Sequence, residues 1–201
     1  MMEIRTLEKD EYRAALELAW NVFLEFEAPE YTAQGVEAFH ASIRDADYIR
    51  QLRIYGAYDK GALVGILATR NGGTHIALFF VLADYQRQGI GRDLFSNACH
   101  ENPTAQMTVN ASPYAVEVYR CLGFVETAAE QSRDGIRYTP MLCAMKRADC
   151  PCKRKHCERH SDCVACKAHH RHVKNTPVYC ERPTKDEKRA LRRQEHNTAQ
   201  K

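Results

Sequence analysis

The 201-residue chain carries 29 basic and 26 acidic side chains, a net charge of +3, and 44% of its residues are hydrophobic. That balance suits a soluble globular core and excludes a chain too polar to collapse. No stretch of about 18 apolar residues occurs, which excludes a membrane-spanning helix, and the start, MMEIRTLEKDEY, lacks the apolar segment of a secretory leader, so the expected location is cytoplasmic.

The charge is unevenly spread. Residues 1–149 hold 15 basic against 20 acidic side chains, and residues 150–201 hold 14 against 6. Cys99, Cys121 and Cys143 are scattered, whereas Cys150, Cys152, Cys157, Cys163, Cys166 and Cys180 cluster. Three parts are expected: a domain over 1–147, a Cys/His-rich module over 148–184 and a basic tail over 185–201.

In chain order, residues 3–6 read as a short strand. A helix follows, with Leu16, Ala19, Trp20, Phe23 and Phe26 on one apolar face, Thr6 as a candidate cap, and Glu8, Asp10 and Glu11 at its positive end. It stops before Pro29. A second helix is expected over about 33–43, after an acidic, aromatic loop holding Glu27, Glu30 and Tyr31. A meander comes next, with strands at 52–58 and 62–70, a turn at Asn71-Gly72-Gly73, and an apolar strand over 76–82 expected to be buried on both faces. A helix runs to about Glu101. A short strand at 106–110 leads to Ser112-Pro113, a favourable helix opening, with Val116, Tyr119 and Leu122 along the helix and Gly123 as its stop. Strands at 124–131 and 137–146 close the domain. The order is β-α-α-β-β-β-α-β-α-β-β, an α/β fold with a mixed sheet covered by helices.

Residues 86–92 read Gln-Arg-Gln-Gly-Ile-Gly-Arg between the central strand and its helix. The first turn of a helix has main-chain N–H groups without partners, and glycines let a phosphate approach them. Arg87 and Arg92 add positive charge. The stretch therefore suits a pyrophosphate, although Gly89 and Gly91 also serve simple close packing. It is neither a Walker loop nor a dinucleotide fingerprint, since it lacks the Gly-Lys-Ser/Thr of one and the third glycine of the other.

With Asn110-Ala111-Ser112-Pro113-Tyr114 and Leu122-Gly123-Phe124 in the same frame, the sequence over about 3–147 resembles the GNAT superfamily of acetyl-CoA-dependent N-acyltransferases. The resemblance implies that two central strands splay apart and that acetyl-CoA lies in the gap. Phe80, Val81 and Leu82 would then give backbone contacts to pantetheine. Gln86, Arg87, Gln88, Gly89, Ile90, Gly91 and Arg92 would hold the pyrophosphate, with Asn110 and Ser112 completing the cofactor set. It further implies a primary amine attacking the thioester, with Tyr119 as the acid for the departing thiolate and a main-chain N–H near Val81 for the oxyanion. A base among Glu25, Glu27 and Glu30 is not singled out by the residues; Glu27 is the candidate retained. The acceptor and the oligomeric state are unspecified, a homodimer being the common prior for soluble proteins, and a non-catalytic acyl-CoA-binding or scaffold protein is the alternative reading.

The C-terminal stretch holds six cysteines and five histidines between residues 150 and 180 and almost no Leu, Ile or Phe. A segment without a core needs a metal or cross-links, and a cytoplasmic setting disfavours disulfides. Thiolates and imidazoles at these spacings suit zinc, from Cys150, Cys152, Cys157, His160, Cys163, Cys166, His169 and Cys180. Either two ions bind or some cysteines are spare; an iron–sulfur cluster fits the histidines less well. The basic surroundings are compatible with nucleic acid, but Tyr179 alone is available for base stacking, so a solvated surface is the favoured reading.

Overall fold

The computed structural model describes residues 2–102, 104, 106–144, 152–154, 157, 166, 169 and 170. The chain divides into two compact units, Met1–Met145 and Lys146–Lys201. In the second, the Cys157 N–H donates to the Arg154 carbonyl at 3.1 Å, and the rings of His169 and His170 meet edge-on at 6.0 Å.

The first unit has strands β1 (Glu3–Thr6), β2 (Arg53–Asp59), β3 (Ala62–Arg70), β4 (His75–Val81), β5 (Gln106–Ala111), β6 (Phe124–Glu126), β7 (Gln131–Arg133) and β8 (Ile136–Ala144). Its helices are α1 (Tyr12–Phe26), α2 (Ala33–Ser42), α3 (Ala46–Arg50), α4 (Ile90–His100) and α5 (Val116–Cys121). The mixed sheet runs β1-β2-β3-β4-β5-β8-β6, with β7 pairing on β8. Only β4 and β5 are parallel. This is the mixed α/β architecture that the element order predicts. It gains the short helix α3, which Asp45 caps by accepting from the Tyr48 N–H at 2.7 Å, and it splits the expected strand over 124–131 into β6 and β7.

Each face of the sheet carries its own core. One packs β-strand side chains against α4 and α5, through Leu67, Leu94, Met107, Val109, Tyr119 and Phe124; the other packs them against α1 and α2, through Phe23, Ile54, Ile66, Leu78 and Phe80. Strand β4 is the hinge between the two. Its register with β3 jumps from Ala68↔Leu78 to Thr69↔Ile76, so Ala77 is an extra residue, a β-bulge. Burial along β4 alternates between buried and half-buried, rather than being complete on both faces as expected; Phe79 and Val81, packed on the α4 side, are among the half-buried residues.

Two helix starts differ from the sequence reading. Thr6 does not cap the first helix. Glu8 and Glu11 form a reciprocal capping box there, and Arg5 grips Glu11 with two bonds of 2.7 and 2.6 Å. Ser112 does not cap α5, which begins at Val116; the Ser112 carbonyl instead accepts from the Ala115 and Val116 N–H groups. The buried stripe of α1 is Tyr12, Ala15, Leu18, Ala19, Val22 and Phe23. Trp20 is half-buried at the edge of that stripe, stacked on Phe23 at 5.7 Å and on His40 and Phe39 of α2 at 4.2 and 6.3 Å.

Helix α2 touches the β7–β8 turn without side chains between them. A Cβ on Gly35 would stand 2.2 Å from the Gly135 carbonyl oxygen. Asp134 and Gly135 both have positive φ, 53° and 78°, which the two-residue hairpin turn requires. The hairpin is thereby held against the start of α2, and Arg137 of β8 reaches Glu30 at 3.5 Å. No helix among the described residues is long and apolar enough to cross a membrane.

Candidate active site

The parallel β4–β5 pairing consists of His75↔Thr108 and Ile76↔Val109 and goes no further. The bulge at Ala77 bends β4 at the next residue, so residues 77–81 leave β5 and a gap opens between the strands. Parity decides which main-chain groups face it. The Leu82 N–H donates to the Val64 carbonyl at 3.0 Å, Phe80 lies opposite Ile66, and Val81 lies opposite Gly65. The main-chain groups of Phe80 and the Leu82 N–H therefore point to β3, the Leu82 carbonyl accepts from the Tyr85 N–H at 2.9 Å, and the main-chain groups of Phe79 and Val81 point into the gap. This corrects the expectation for Phe80 and Leu82 and brings in Phe79, which sequence reading missed. The Val81 carbonyl accepts from Gln86 Nε2 at 3.0 Å, leaving the Val81 N–H on the open side.

Below the gap lies the glycine turn. Gln86 is held by its own N–H to the Ala83 carbonyl, and Gln88 Nε2 donates to the Asp84 carbonyl at 2.7 Å. The first bond of α4 runs from the Asp93 N–H to the Gly89 carbonyl at 3.1 Å. Among the described residues, the N–H groups of Arg87, Gln88, Gly89, Ile90, Gly91 and Arg92 have no protein acceptor. Arg87 and Gly89 both adopt left-handed backbone, φ 58° and 90°, which folds the turn back on itself beneath the strand end. A non-glycine residue held there carries about 1–2 kcal/mol of strain. Gly91 packs closely for another reason: a Cβ there would sit 3.1 Å from the Phe79 ring, so the ring would have to give by a few tenths of an ångström. Arg87, Gln88, Gly89 and Arg92 are exposed, Ile90 is buried beneath them, and Asn110 is exposed at the other wall of the gap.

The opposite side of the gap is built from side chains. Tyr119 is 5% exposed on α5, its ring against Phe79 and Phe124 at 6.0 and 5.2 Å. Burial, and then the Glu27 carboxylate, push its phenol above the ordinary range. Glu27 stands at the C-terminal end of α1, where Phe26 stacks on Tyr114 at 5.3 Å and fixes that end against the turn after β5. Burial pushes the Glu27 carboxyl up to about 7, held back by the neighbouring Ser112 hydroxyl. Tyr31 completes the group; burial, then the Glu27 charge, raise its phenol, and Ser112 again opposes the rise. Ser112 is 6% exposed, and its hydroxyl has no direct hydrogen-bond partner. It thus stands beside both Glu27 and Tyr31, beyond a direct bond to either. Glu25 and Glu30 do not join the group: Glu25 is exposed, and Glu30 pairs with Arg137.

The pattern of the acetyltransferase (GNAT) domain family matches residues 27–145. The chain belongs to the GNAT acetyltransferase family. The match runs from Glu27 through β8. No curated protein matches the chain. Among solved structures, the GNAT domain is similar to a GCN5-related N-acetyltransferase from Rhodopseudomonas palustris, at 20% identity and TM-score 0.60, over 71% of this chain and 95% of that one. It is similar to apo YjaB from Escherichia coli, at 18% identity and TM-score 0.57, over 72% and 99%. It is also similar to the PaiA N-acetyltransferase from Thermoplasma acidophilum, solved with coenzyme A, at 17% identity and TM-score 0.55, over 72% and 99%. These likenesses concern the fold.

The expected metal ligands Cys150, His160, Cys163 and Cys180 lie outside the described residues. Cys152, Cys157, Cys166 and His169 lie within them, and among the described residues no three His, Cys, Asp or Glu side chains are grouped to hold a metal.

Proposed function

We propose that the GNAT domain is an N-acetyltransferase that moves an acetyl group from acetyl-CoA to a primary amine by direct attack on the thioester. The observation that carries this reading is the pairing of one strand gap with two unlike walls: unpartnered N–H groups over residues 87–92 on one side, and a carboxyl near neutrality, Glu27, on the other. The diphosphate would rest on those N–H groups with Arg87 and Arg92 flanking it. The pantetheine arm would pair with Phe79 and Val81 and pass Asn110. Glu27 takes a proton from the entering ammonium, since a group with pKa near 7 is an effective base at neutral pH. The amine nitrogen then bonds to the carbonyl carbon, the Val81 N–H stabilises the oxyanion, and the C–S bond breaks. The nitrogen loses its second proton as the amide forms, and the sulfur, hydrogen-bonded by the Tyr119 hydroxyl, gains one; one proton per turnover passes to water.

Calorimetry with acetyl-CoA, followed by thiol release across a panel of amines, tests the reading. Saturable binding and amine-dependent thiol release support it. Binding without release on any amine favours the non-catalytic acyl-CoA-binding alternative. For the C-terminal stretch we propose zinc held by cysteine and histidine; one or two equivalents of zinc in the purified full chain, lost with its cysteines replaced by serine, is the expected result.

A further inference from the structure

We infer that Ser112, with Glu27 and Tyr31, forms a seat for the ammonium of an acceptor bearing a single positive charge, a monoamine rather than a diamine. The inference rests on the N-acetyltransferase reading above and narrows its acceptor. It also moves Ser112 from the cofactor side, where family resemblance put it, to the acceptor side.

Three observations carry it. The first is the Ser112 hydroxyl, buried and without a partner. Leaving such a group unmatched costs about 1–3 kcal/mol, so a water or a ligand donor is expected to meet it. The second is its placement. The Ser112 carbonyl is fixed by the Ala115 and Val116 N–H groups at 2.9 and 3.2 Å, and the Phe26–Tyr114 stack holds Glu27 alongside. An ammonium with three N–H donors can satisfy the Ser112 oxygen and the Glu27 carboxylate together.

The third is charge. Glu25 lies two residues before Glu27, about 200° around α1, and faces solvent. Glu30 is held by Arg137, which also holds Glu130 at 2.9 Å. Glu27 is therefore the one acid of this loop facing the seat without a cation of its own among the described residues. The groups around it are Tyr31, Tyr119 and Ser112, with Glu30 and Arg137 behind Tyr31. A second positive charge on the acceptor would meet neutral rings or the Arg137–Glu30 pair, whose charges already offset each other. The remainder of the acceptor is thus apolar, and aromatic rings, Tyr31 and the Phe26–Tyr114 pair, stand next to it.

The test compares 2-phenylethylamine with butane-1,4-diamine as acceptors for the full chain, Ser112→Ala and Ser112→Thr. The expected result is at least a tenfold higher kcat/KM for the monoamine. Ser112→Ala should raise the monoamine KM about fivefold or more, leave the acetyl-CoA KM in place, and move the acid limb of the pH profile to higher pH, because the hydroxyl that favours the carboxylate is gone. Ser112→Thr should restore all three. A preference for the diamine, turnover of neither amine, or a rise confined to the acetyl-CoA KM overturns the inference. Carbon-13 titration of the Glu27 carboxyl needs no turnover and separates the two levels: acetyl-CoA binding with a Glu27 titration unmoved by Ser112→Ala sinks the seat alone, whereas absence of acetyl-CoA binding sinks the underlying reading too.

Discussion

The two walls of the β4–β5 gap are made of different material. The glycine turn offers main-chain N–H groups, stands in solvent, and is braced by the Gln86 and Gln88 side chains on the Val81 and Asp84 carbonyls. The Glu27–Tyr31–Ser112–Tyr119 wall is made of side chains whose burial has moved three titrating groups from their ordinary values. The difference follows from what each must hold. A diphosphate is the same in every turnover, and a helix N-terminus meets it with fixed dipoles that need no tuning. A proton must be taken and released, so the groups that move it depend on a local dielectric that only packing from several elements can set.

The largest expected effect breaks the acceptor wall and leaves the other intact. Glu27→Gln should lower kcat/KM for amine by about a hundredfold to a thousandfold, the range for loss of a positioned base. Its stability should move the other way. The folded-state pKa, about 7 against an ordinary 4.5, means that the protonated carboxyl is favoured by folding. That contribution is whole below pH 4.5, fades as pH rises, and is gone above 7. Glutamine has no such dependence. The stability of Glu27→Gln relative to the parent should therefore rise between pH 4 and pH 8, by up to about 3 kcal/mol. Urea unfolding at both pH values measures it; a gap that does not widen with pH shows that Glu27 is not buried as a charge.

Arg87→Glu addresses the first wall. It replaces a charge-assisted contact with repulsion, so acetyl-CoA should bind about ten- to a hundredfold more weakly by calorimetry, with the acid limb near pH 7 unmoved. A shift of that limb would mean that the two walls are electrically coupled. Tyr119→Phe is expected to do less, about tenfold in kcat with acetyl-CoA affinity unchanged. Burial that raises the phenol also makes it a reluctant proton donor, so its service to the sulfur is mostly a hydrogen bond. Loss of acetyl-CoA affinity in this variant would mark Tyr119 as a packing residue under Phe79 instead.

The first wall was more legible in the sequence than the second, and the reason is locality. A polar, glycine-bearing turn between an apolar strand and an amphipathic helix is written in consecutive residues, and residues 86–92 are found where that pattern puts them. The gap itself depends on Ala77 being extra against Ala68 and Thr69, a change of register between two paired strands that no local spacing states. The choice of Phe79 and Val81 over Phe80 and Leu82 follows from the same register. Glu27 could be drawn only from a set of three acids, since what separates it from Glu30 is an arginine 107 positions away, Arg137. Ser112 carried a capping signal that the fold left unused, and a serine before a proline gives no hint of a buried, unmatched hydroxyl.

The smallest effect on chemistry comes from the contact farthest from it. Gly35→Ala adds one methyl group, which would stand 2.2 Å from the Gly135 carbonyl, a main-chain atom that cannot swing away. Either α2 or the β7–β8 hairpin must move, at about 1–3 kcal/mol, a fall of several degrees in Tm. The hairpin carries Arg137, and Arg137 pairs with Glu30 beside Tyr31. The displacement should therefore reach the amine and not the cofactor: a few-fold rise in amine KM, and acetyl-CoA binding within error of the parent. If monoamine and diamine discrimination also narrows, the cause is Glu30, freed from Arg137 and able to meet a second positive charge. A variant that loses stability with both KM values unchanged would instead show that the hairpin only braces α2, and that the side-chain wall is complete without it.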